Sequence, residues 1–225
     1  MSQKSHLFRN LLIAICILLI SYPLLIREGI MGKVFEALFG MLILRTGMRA
    51  TSANKPPPKW AQGLLVLLIV VWLGEIFIKE QLYLDVVRLG LLEVFFIRFL
   101  WKVGRDVFIT RHIHASGRLY GAICVYLLIS AAFSDLYLII DRLNPDAFYC
   151  SQALCASQEG STFHSGLHLY FSLVTLSTLG YGDITPTYPL AAMLVALEAI
   201  IGQMYVAIVI SRLVAIHLNE IPEER

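Results

Sequence analysis

Six apolar segments constrain the fold of this sequence more than any other feature. A helix that crosses a hydrocarbon core of about 30 Å needs roughly 20 mostly apolar residues. Hydrophobic residues make up 58% of the 225 residues and charged residues 15%, whereas soluble domains average about 45–50% and about 25%. This composition excludes a soluble globular fold and predicts an all-α integral membrane protein with six transmembrane helices. The segments are residues 11–26, 34–44, 64–78, 82–101, 119–140 and 188–216.

The basic residues predict how these segments are oriented. Cytoplasmic loops close to membrane spans carry an excess of Lys and Arg. The loops after the second and fourth segments are rich in Lys and Arg and contain one acid, Asp106, whereas the loops after the third and fifth segments are mainly acidic. We therefore expect a multi-pass protein of the plasma or inner membrane with both termini cytoplasmic. The net charge of +2 is too close to balance to suggest a nucleic-acid partner.

The loop between the fifth and sixth segments contains two cysteines, Cys150 and Cys155. This loop lies on the predicted outer side, where disulfides persist. The two cysteines either form a disulfide or remain free thiols. A zinc site formed together with His164 and His168 is a third, less favoured interpretation.

The end of the same loop is apolar but too short to span a membrane. Residues 167–174 form an apolar run that is followed by glycine-rich sequence. Non-helical backbone is tolerated at membrane depth only where protein or water surrounds it. The pattern therefore predicts a re-entrant helix that enters the membrane and returns to the same side as an extended strand.

The residues from Thr175 to Asp183 read Thr-Leu-Ser-Thr-Leu-Gly-Tyr-Gly-Asp. This stretch resembles the selectivity filter of potassium channels, and the whole chain is similar in layout to six-helix prokaryotic-type members of the voltage-gated-like channel superfamily. The resemblance implies that backbone carbonyls replace the water around K⁺. It also implies a homotetramer, because each chain supplies one filter strand. The implied filter residues are Thr178, Leu179, Gly180, Tyr181 and Gly182, and the first four would ligate K⁺. Gly180 and Gly182 would permit the alternating backbone angles that turn successive carbonyls the same way.

Several neighbouring residues are predicted to support this filter. The resemblance implies that Asp183 is held by an aromatic donor, for which Tyr170 is in the matching position. Glu198 lies in an apolar run, and we expect it behind the filter, hydrogen-bonded to hydroxyls of the re-entrant helix such as Ser172 or Ser177; attraction of ions is the alternative role. The predicted filter supports are Asp183, Tyr170, Thr175, Ser177 and Glu198.

The sixth segment contains Gly202 at the position of the gating hinge in the family. A glycine there either lets the helix bend or lets it approach the pore helix closely. Below it, three apolar residues recur at every fourth position, and they line the inner cavity or contact lipid. These residues are Val206, Ile210 and Val214.

The fourth segment lacks the repeated arginines of a voltage sensor. Arg88 is its candidate charge sensor, whereas steep voltage gating uses about three or four charges per subunit. The alternative is a scaffold in which Arg88 pairs with Glu36, Glu75 or Glu93. Voltage dependence is therefore expected to be weak or absent.

These assignments divide the chain into four parts. We expect a four-helix membrane domain that resembles a degenerate voltage sensor in residues 1–104 and an amphipathic linker helix in residues 105–117. The pore domain would occupy residues 118–218, and residues 219–225 would form a cytoplasmic tail.

The function predicted from these features is passive, selective conduction of K⁺. The alternatives are a less selective monovalent cation channel and a non-conducting regulatory or scaffold subunit. The sequence has no assembled nucleophile, base and orienting group, so we do not expect an enzyme. We expect no cofactor, with K⁺ as the permeant ion and membrane lipid as a further partner.

Overall fold

The computed structural model describes residues 3–25, 62–64, 66–71, 82–109, 115–151, 155 and 165–220. The expected second span lies outside these residues, as do Glu36, Glu75 and His164. Residues 62–64 and 66–71 are helical, and the other elements of the described chain are five longer helices and two short strands. They are α1 (Gln3–Leu25), α2 (Leu82–Ile109), α3 (Ala115–Leu143), β1 (Phe148–Cys150), α4 (Ser165–Leu176), β2 (Ile184–Pro186) and α5 (Pro189–Glu220).

Two helical stretches of the described chain are long and apolar enough to cross a membrane, Gly117–Leu143 in α3 and Pro189–Arg212 in α5. They coincide with the fifth and sixth segments of the sequence prediction, which supports a helical membrane protein. α5 begins at Pro189, and proline suits the first helical position because its fixed φ is already helical and an N–H there would lack a partner. The total of six spans stays a prediction.

α1, α2 and α3 pack around a shared apolar cluster. α2 contributes a stripe in which every fourth residue is buried, Phe95, Phe99, Val103 and Val107, and this spacing places them on one face of the helix. The side chains from α1 and α3 in the same cluster are Phe8, Leu11, Ile15, Ala122, Val125 and Leu128.

The buried stripe continues past residue 104, where the sequence analysis ends the first domain. Val107 is 3% exposed, and α2 continues without a break to Ile109. Residues 105–109 of the expected linker helix are therefore the last part of α2. The basic residues between Trp101 and Ile109 had suggested a helix lying on the membrane surface, but the apolar face of the same turns packs inside the helix bundle.

A second, aromatic cluster joins α3, β1 and α4. The ring centroid of Tyr137 lies 5.5 Å from that of Phe148 and 5.3 Å from that of Phe171. Phe148 and Phe171 are 5.7 Å apart in an edge-on arrangement, which is a favoured geometry for aromatic pairs. The cluster fixes the short helix α4 against the C-terminal half of α3.

β1 and β2 form an antiparallel ribbon with Tyr149 opposite Thr185. The backbone N–H of Ser151 also donates to the carbonyl of Asp183 at 2.8 Å, and the N–H of Thr187 donates to the carbonyl of Ala147 at 2.9 Å. The ribbon therefore attaches the loop after α3 to the residues that directly follow Gly182.

Candidate functional site

The candidate site is the extended segment that follows α4, and it begins with a helix cap. The N–H of Thr178 donates to the carbonyl of Thr175 at 2.9 Å, and the N–H of Leu179 donates to the carbonyl of Val174 at 3.0 Å. These two bonds form a Schellman motif, which requires a left-handed residue after the helix. Thr178 fills that position with a φ of 60°. A β-branched residue rarely adopts this conformation, so backbone strain is concentrated at the start of the segment.

Left-handed backbone recurs at every second residue of the segment. Gly180 has a φ of 54° and Gly182 a φ of 74°. Glycine adopts such angles without the steric penalty of a side chain. The sequence analysis predicted this alternation for the two glycines, and Thr178 extends it by one step. Alternation of this kind turns successive carbonyl groups toward the same side of the strand.

The described part of the chain leaves this segment uncovered. Leu179 is 60% exposed and Tyr181 is 66% exposed. The segment therefore projects from the described part of the chain.

Asp183 ends the segment and is held at both carboxylate oxygens. The hydroxyl of Tyr170 donates to Oδ2 at 2.6 Å, and the N–H of Ile184 donates to Oδ1 at 3.0 Å. The predicted contact between Tyr170 and Asp183 is thus confirmed.

A buried polar network lies behind α4. The Ser172 hydroxyl contacts Oε1 of Glu198, and the hydroxyl of Tyr137 donates to Oε2 at 2.6 Å. Ser172 Oγ is also 2.7 Å from the carbonyl oxygen and 3.0 Å from Oγ of Ser130. All four residues are fully buried. The predicted bond between Glu198 and Ser172 is confirmed, and the network connects α3, α4 and α5.

Two other predicted supports make hydrogen bonds at the C-terminal end of α4. They are Ser177 and Thr175. The hydroxyl of Ser177 donates to the carbonyl of Leu173 at 2.7 Å, so this serine caps its own helix and is not the one that reaches Glu198. Thr175 is buried, and its carbonyl accepts the capping bond from Thr178.

Gly202 lies against the last turn of α4. A Cβ at this position would overlap the carbonyl oxygen of Leu176 and would lie 3.0 Å from its carbonyl carbon. The sequence analysis left bending and close packing open for this glycine. The contact accounts for the glycine by close packing, and the hinge role stays a prediction.

The side chain of Gln203 meets the start of the segment, a contact that the sequence analysis missed. Its Nε2 donates to Oγ1 of Thr178 at 3.3 Å. Gln203 is the single side-chain amide between Pro189 and Arg212. An isolated amide in an apolar helix could have indicated that it has a specific hydrogen-bond partner. Tyr137 was also missed, because one aromatic residue among many in an apolar span carries no such signal.

The predicted cavity residues Val206 and Ile210 are 43% and 56% exposed. Nothing in the described chain covers them, as either a cavity or a lipid-facing surface requires. The side chain of Val214 lies outside the described ones, so its role stays a prediction.

Arg88 lies 3.7 Å from Asp85 on the same helix, an acid that the sequence analysis did not consider. Asp85 is also 3.4 Å from Arg142, which ties the start of α2 to the end of α3. The candidate charge sensor is therefore part of an ion cluster between helices. Its role in voltage sensing stays a prediction.

Two further contacts hold the region around the segment. Cys150 and Cys155 form a disulfide with 6.3 Å between their Cα atoms, which is the first of the interpretations considered for this pair. Nε2 of His168 lies 3.5 Å from Oδ2 of Asp141, and both side chains are buried. The described residues contain no group of three or more metal-ligating side chains.

The candidate site lies in a part of the chain that is similar to known ion-channel proteins. Residues 121–218 match a family model described as "Ion channel". Over 83 residues the chain is 34% identical to the inward rectifier potassium channel Kirbac3.1 of Paramagnetospirillum magnetotacticum, covering 36% of this chain and 27% of that protein. Over 63 residues it is 41% identical to the two pore potassium channel c of Oryza sativa subsp. japonica, covering 28% and 14%.

These matches support an ion-channel domain in the second half of the chain. The matched segments span less than a third of the length of each relative. No solved structure matches the chain. The residues that match the family model include α4, the segment 178–182 and α5 up to residue 218, so the contacts of Asp183, Glu198 and Gly202 lie within the region of similarity.

Proposed function

We propose that this protein is the subunit of a homotetrameric, potassium-selective channel that conducts K⁺ passively across the membrane. The observation that carries the proposal is the alternation of left-handed backbone at Thr178, Gly180 and Gly182. It supports a strand whose carbonyl groups face one side. Such oxygens can replace the hydration shell of a cation, as they do in the potassium channels that illustrate this principle.

Four copies are proposed because one strand offers oxygens on only one side of an ion. The exposure of the segment supports this assembly, and so does the exposure of α5, of which 11% is buried within the most apolar stretch. In a tetramer the uncovered apolar face of α5 would contact neighbouring subunits and lipid. Its most exposed large residues include Met193, Ile200 and Met204.

The helix α4 supports cation over anion conduction. A helix carries a partial negative charge of about half an elementary charge at its C-terminus, and α4 ends at the first residues of the segment. Four such helix ends would surround the ion pathway. The carboxylates of Asp183, held by Tyr170, would add negative charge at the other end of the segment.

We further propose that residues 118–218 form the pore domain and that both termini are cytoplasmic. Voltage dependence would be weak. Arg88 supplies one charge, worth about 2.3 kcal/mol per 100 mV, and its proximity to Asp85 offsets part of it.

Planar-bilayer recording of the purified protein tests the proposal, with KCl on one side and NaCl on the other. The expected result is a current whose reversal potential lies far from zero, with the KCl side negative, and whose conductance changes little with voltage. A reversal near zero would indicate an unselective cation channel. Absence of current from well-folded protein would instead favour a non-conducting subunit.

A matched pair of variants connects this current to the segment. An alanine Cβ at Gly180 or Gly90 would meet nothing within 4 Å in the described chain, but only Gly180 has a left-handed φ. We expect Gly180→Ala to abolish selective K⁺ current and Gly90→Ala to preserve it. Retention of selectivity in Gly180→Ala would contradict the proposed role of the alternating backbone.

A further inference from the structure

We propose that Glu198 is a neutral carboxylic acid that donates a hydrogen bond to Ser172 and accepts one from Tyr137. In this state it acts as a positioning residue that holds α4, and through it the segment 178–182. The protonation state stands independently of the proposed function, whereas the positioning role rests on it.

Ser172 has a single hydroxyl proton to donate. Its Oγ lies 2.7 Å from the carbonyl oxygen of Ser130, a typical distance for an O–H···O hydrogen bond. A carbonyl oxygen has no proton to donate, so the proton of this bond belongs to Ser172. Two oxygens at this distance without a proton between them would repel each other.

The contact between Ser172 Oγ and Glu198 Oε1 then needs a second proton. Ser172 has already donated its own, and Oγ of Ser130 at 3.0 Å can supply a proton to Ser172 but not to the glutamate. An ionised carboxylate only accepts hydrogen bonds, whereas a protonated one carries an O–H donor. The second proton is therefore on Oε1 of Glu198.

The other oxygen of Glu198 fits the same state. The Tyr137 hydroxyl donates to Oε2 at 2.6 Å, which is the accepting oxygen of a neutral acid. The carboxyl group thus makes one donated and one accepted hydrogen bond, and each partner comes from a different helix.

The charges around Glu198 favour the neutral form as well. Glu198 is fully buried, and the ion pairs described above join Asp85 to Arg88 and Arg142, and Asp141 to His168. None of them reaches Glu198. A buried carboxylate without a cation carries a large desolvation penalty, which a buried acid avoids by keeping its proton.

The position of Glu198 explains what this acid would do in the channel. Gly202, one turn further along α5, touches the last turn of α4 at Leu176, and Ser172 lies one turn before Leu176. α5 therefore holds α4 at two levels, by close packing at Gly202 and by hydrogen bonding at Glu198. The segment 178–182 follows directly from the helix that these contacts hold.

Infrared difference spectroscopy of the purified full-length protein in lipid nanodiscs at neutral pH tests the protonation state. We expect a protonated-carboxyl C=O band that is lost in Glu198→Gln. In Ser172→Ala the same band should move to higher frequency, because the acid proton loses its acceptor. It should persist in Glu93→Gln, a control that removes another acid from a membrane-associated helix. Loss of only carboxylate bands in Glu198→Gln would overturn the inference.

K⁺ flux into liposomes tests the positioning role. A glutamine keeps one donor and one acceptor, so Glu198→Gln should retain most of the flux. Glu198→Ala takes away the acceptor of the buried Tyr137 hydroxyl and cuts the link between Ser172 and α5, so its flux should fall by roughly tenfold or more. Equal flux in both variants would contradict the positioning role. If the wild-type protein shows the band but passes no K⁺, the proposed function fails while the protonation state stands.

Discussion

Replacement of Gly202 by alanine distinguishes the two roles that this glycine can have. The added Cβ would overlap the carbonyl oxygen of Leu176 and would approach its Cδ1 to 3.1 Å. The side chain can turn away, but the carbonyl belongs to the capped end of α4 and cannot. Relief of the overlap therefore requires α5 and α4 to separate.

The size of the effect follows from two opposing terms. Overpacking of a well-packed interior destabilises a protein by about 1–3 kcal/mol, and the rigid backbone at Leu176 places this case near the upper end. Alanine gains about 1 kcal/mol over glycine in a helix interior. The net loss is about 2 kcal/mol per chain, a roughly 30-fold change in an equilibrium constant.

The assay combines thermal unfolding of the purified protein with the K⁺ to Na⁺ permeability ratio. We expect Gly202→Ala to lower both the melting temperature and the selectivity. Gly90→Ala should preserve both, because its Cβ meets nothing within 4 Å. Gly121→Ala should have an intermediate effect on stability, because its Cβ overlaps a movable side-chain atom of Val107. Normal stability and selectivity in Gly202→Ala, with altered channel opening alone, would refute the packing argument and favour the hinge.

Three further predictions concern the ends of the segment and its outer loop. Tyr170→Phe removes the bond to Asp183 at a partly exposed site, with a loss of about 1 kcal/mol, and should speed the decay of K⁺ current during sustained recording; unchanged decay would contradict it. Gln203→Leu removes the amide that reaches Thr178 and should lower the K⁺ to Na⁺ permeability ratio. The free energy of unfolding should change by no more than about 0.5 kcal/mol, so a large drop in melting temperature would argue for a structural role. Cys150→Ser opens a short disulfide loop and should destabilise the protein by about 2 kcal/mol, an effect that a reducing agent should reproduce in the wild type.

The candidate site was predictable because its chemistry is local in sequence. Gly180 and Gly182 indicated the alternating backbone, and the pairing of Tyr170 with Asp183 followed from the family pattern. The isolated acid Glu198 indicated a buried polar partner on the pore helix. In each case a residue type that is costly in its setting implied a specific compensating contact.

The remaining features depend on contacts between helices that no sequence pattern specifies. Tyr137 on α3 donates a hydrogen bond to Glu198 on α5. Nothing in the sequence of a single span identifies which of its aromatic residues makes this contact. The continuation of α2 to Ile109 was missed because basic residues dominate its exterior while Val107 packs inside. The use of Thr178 as a left-handed helix cap contradicts its β-branched preference, so propensity alone would not predict it.

The ribbon of β1 and β2 links the loop after α3 mechanically to the end of the segment 178–182. Its backbone bonds join Ser151 directly to Asp183, and the disulfide closes the loop just beyond. A molecule that binds this loop and pulls on it would transmit the force through the ribbon of β1 and β2, which the disulfide stiffens. Such a molecule would thereby deform the end of the segment 178–182, the proposed K⁺ site, without entering that site.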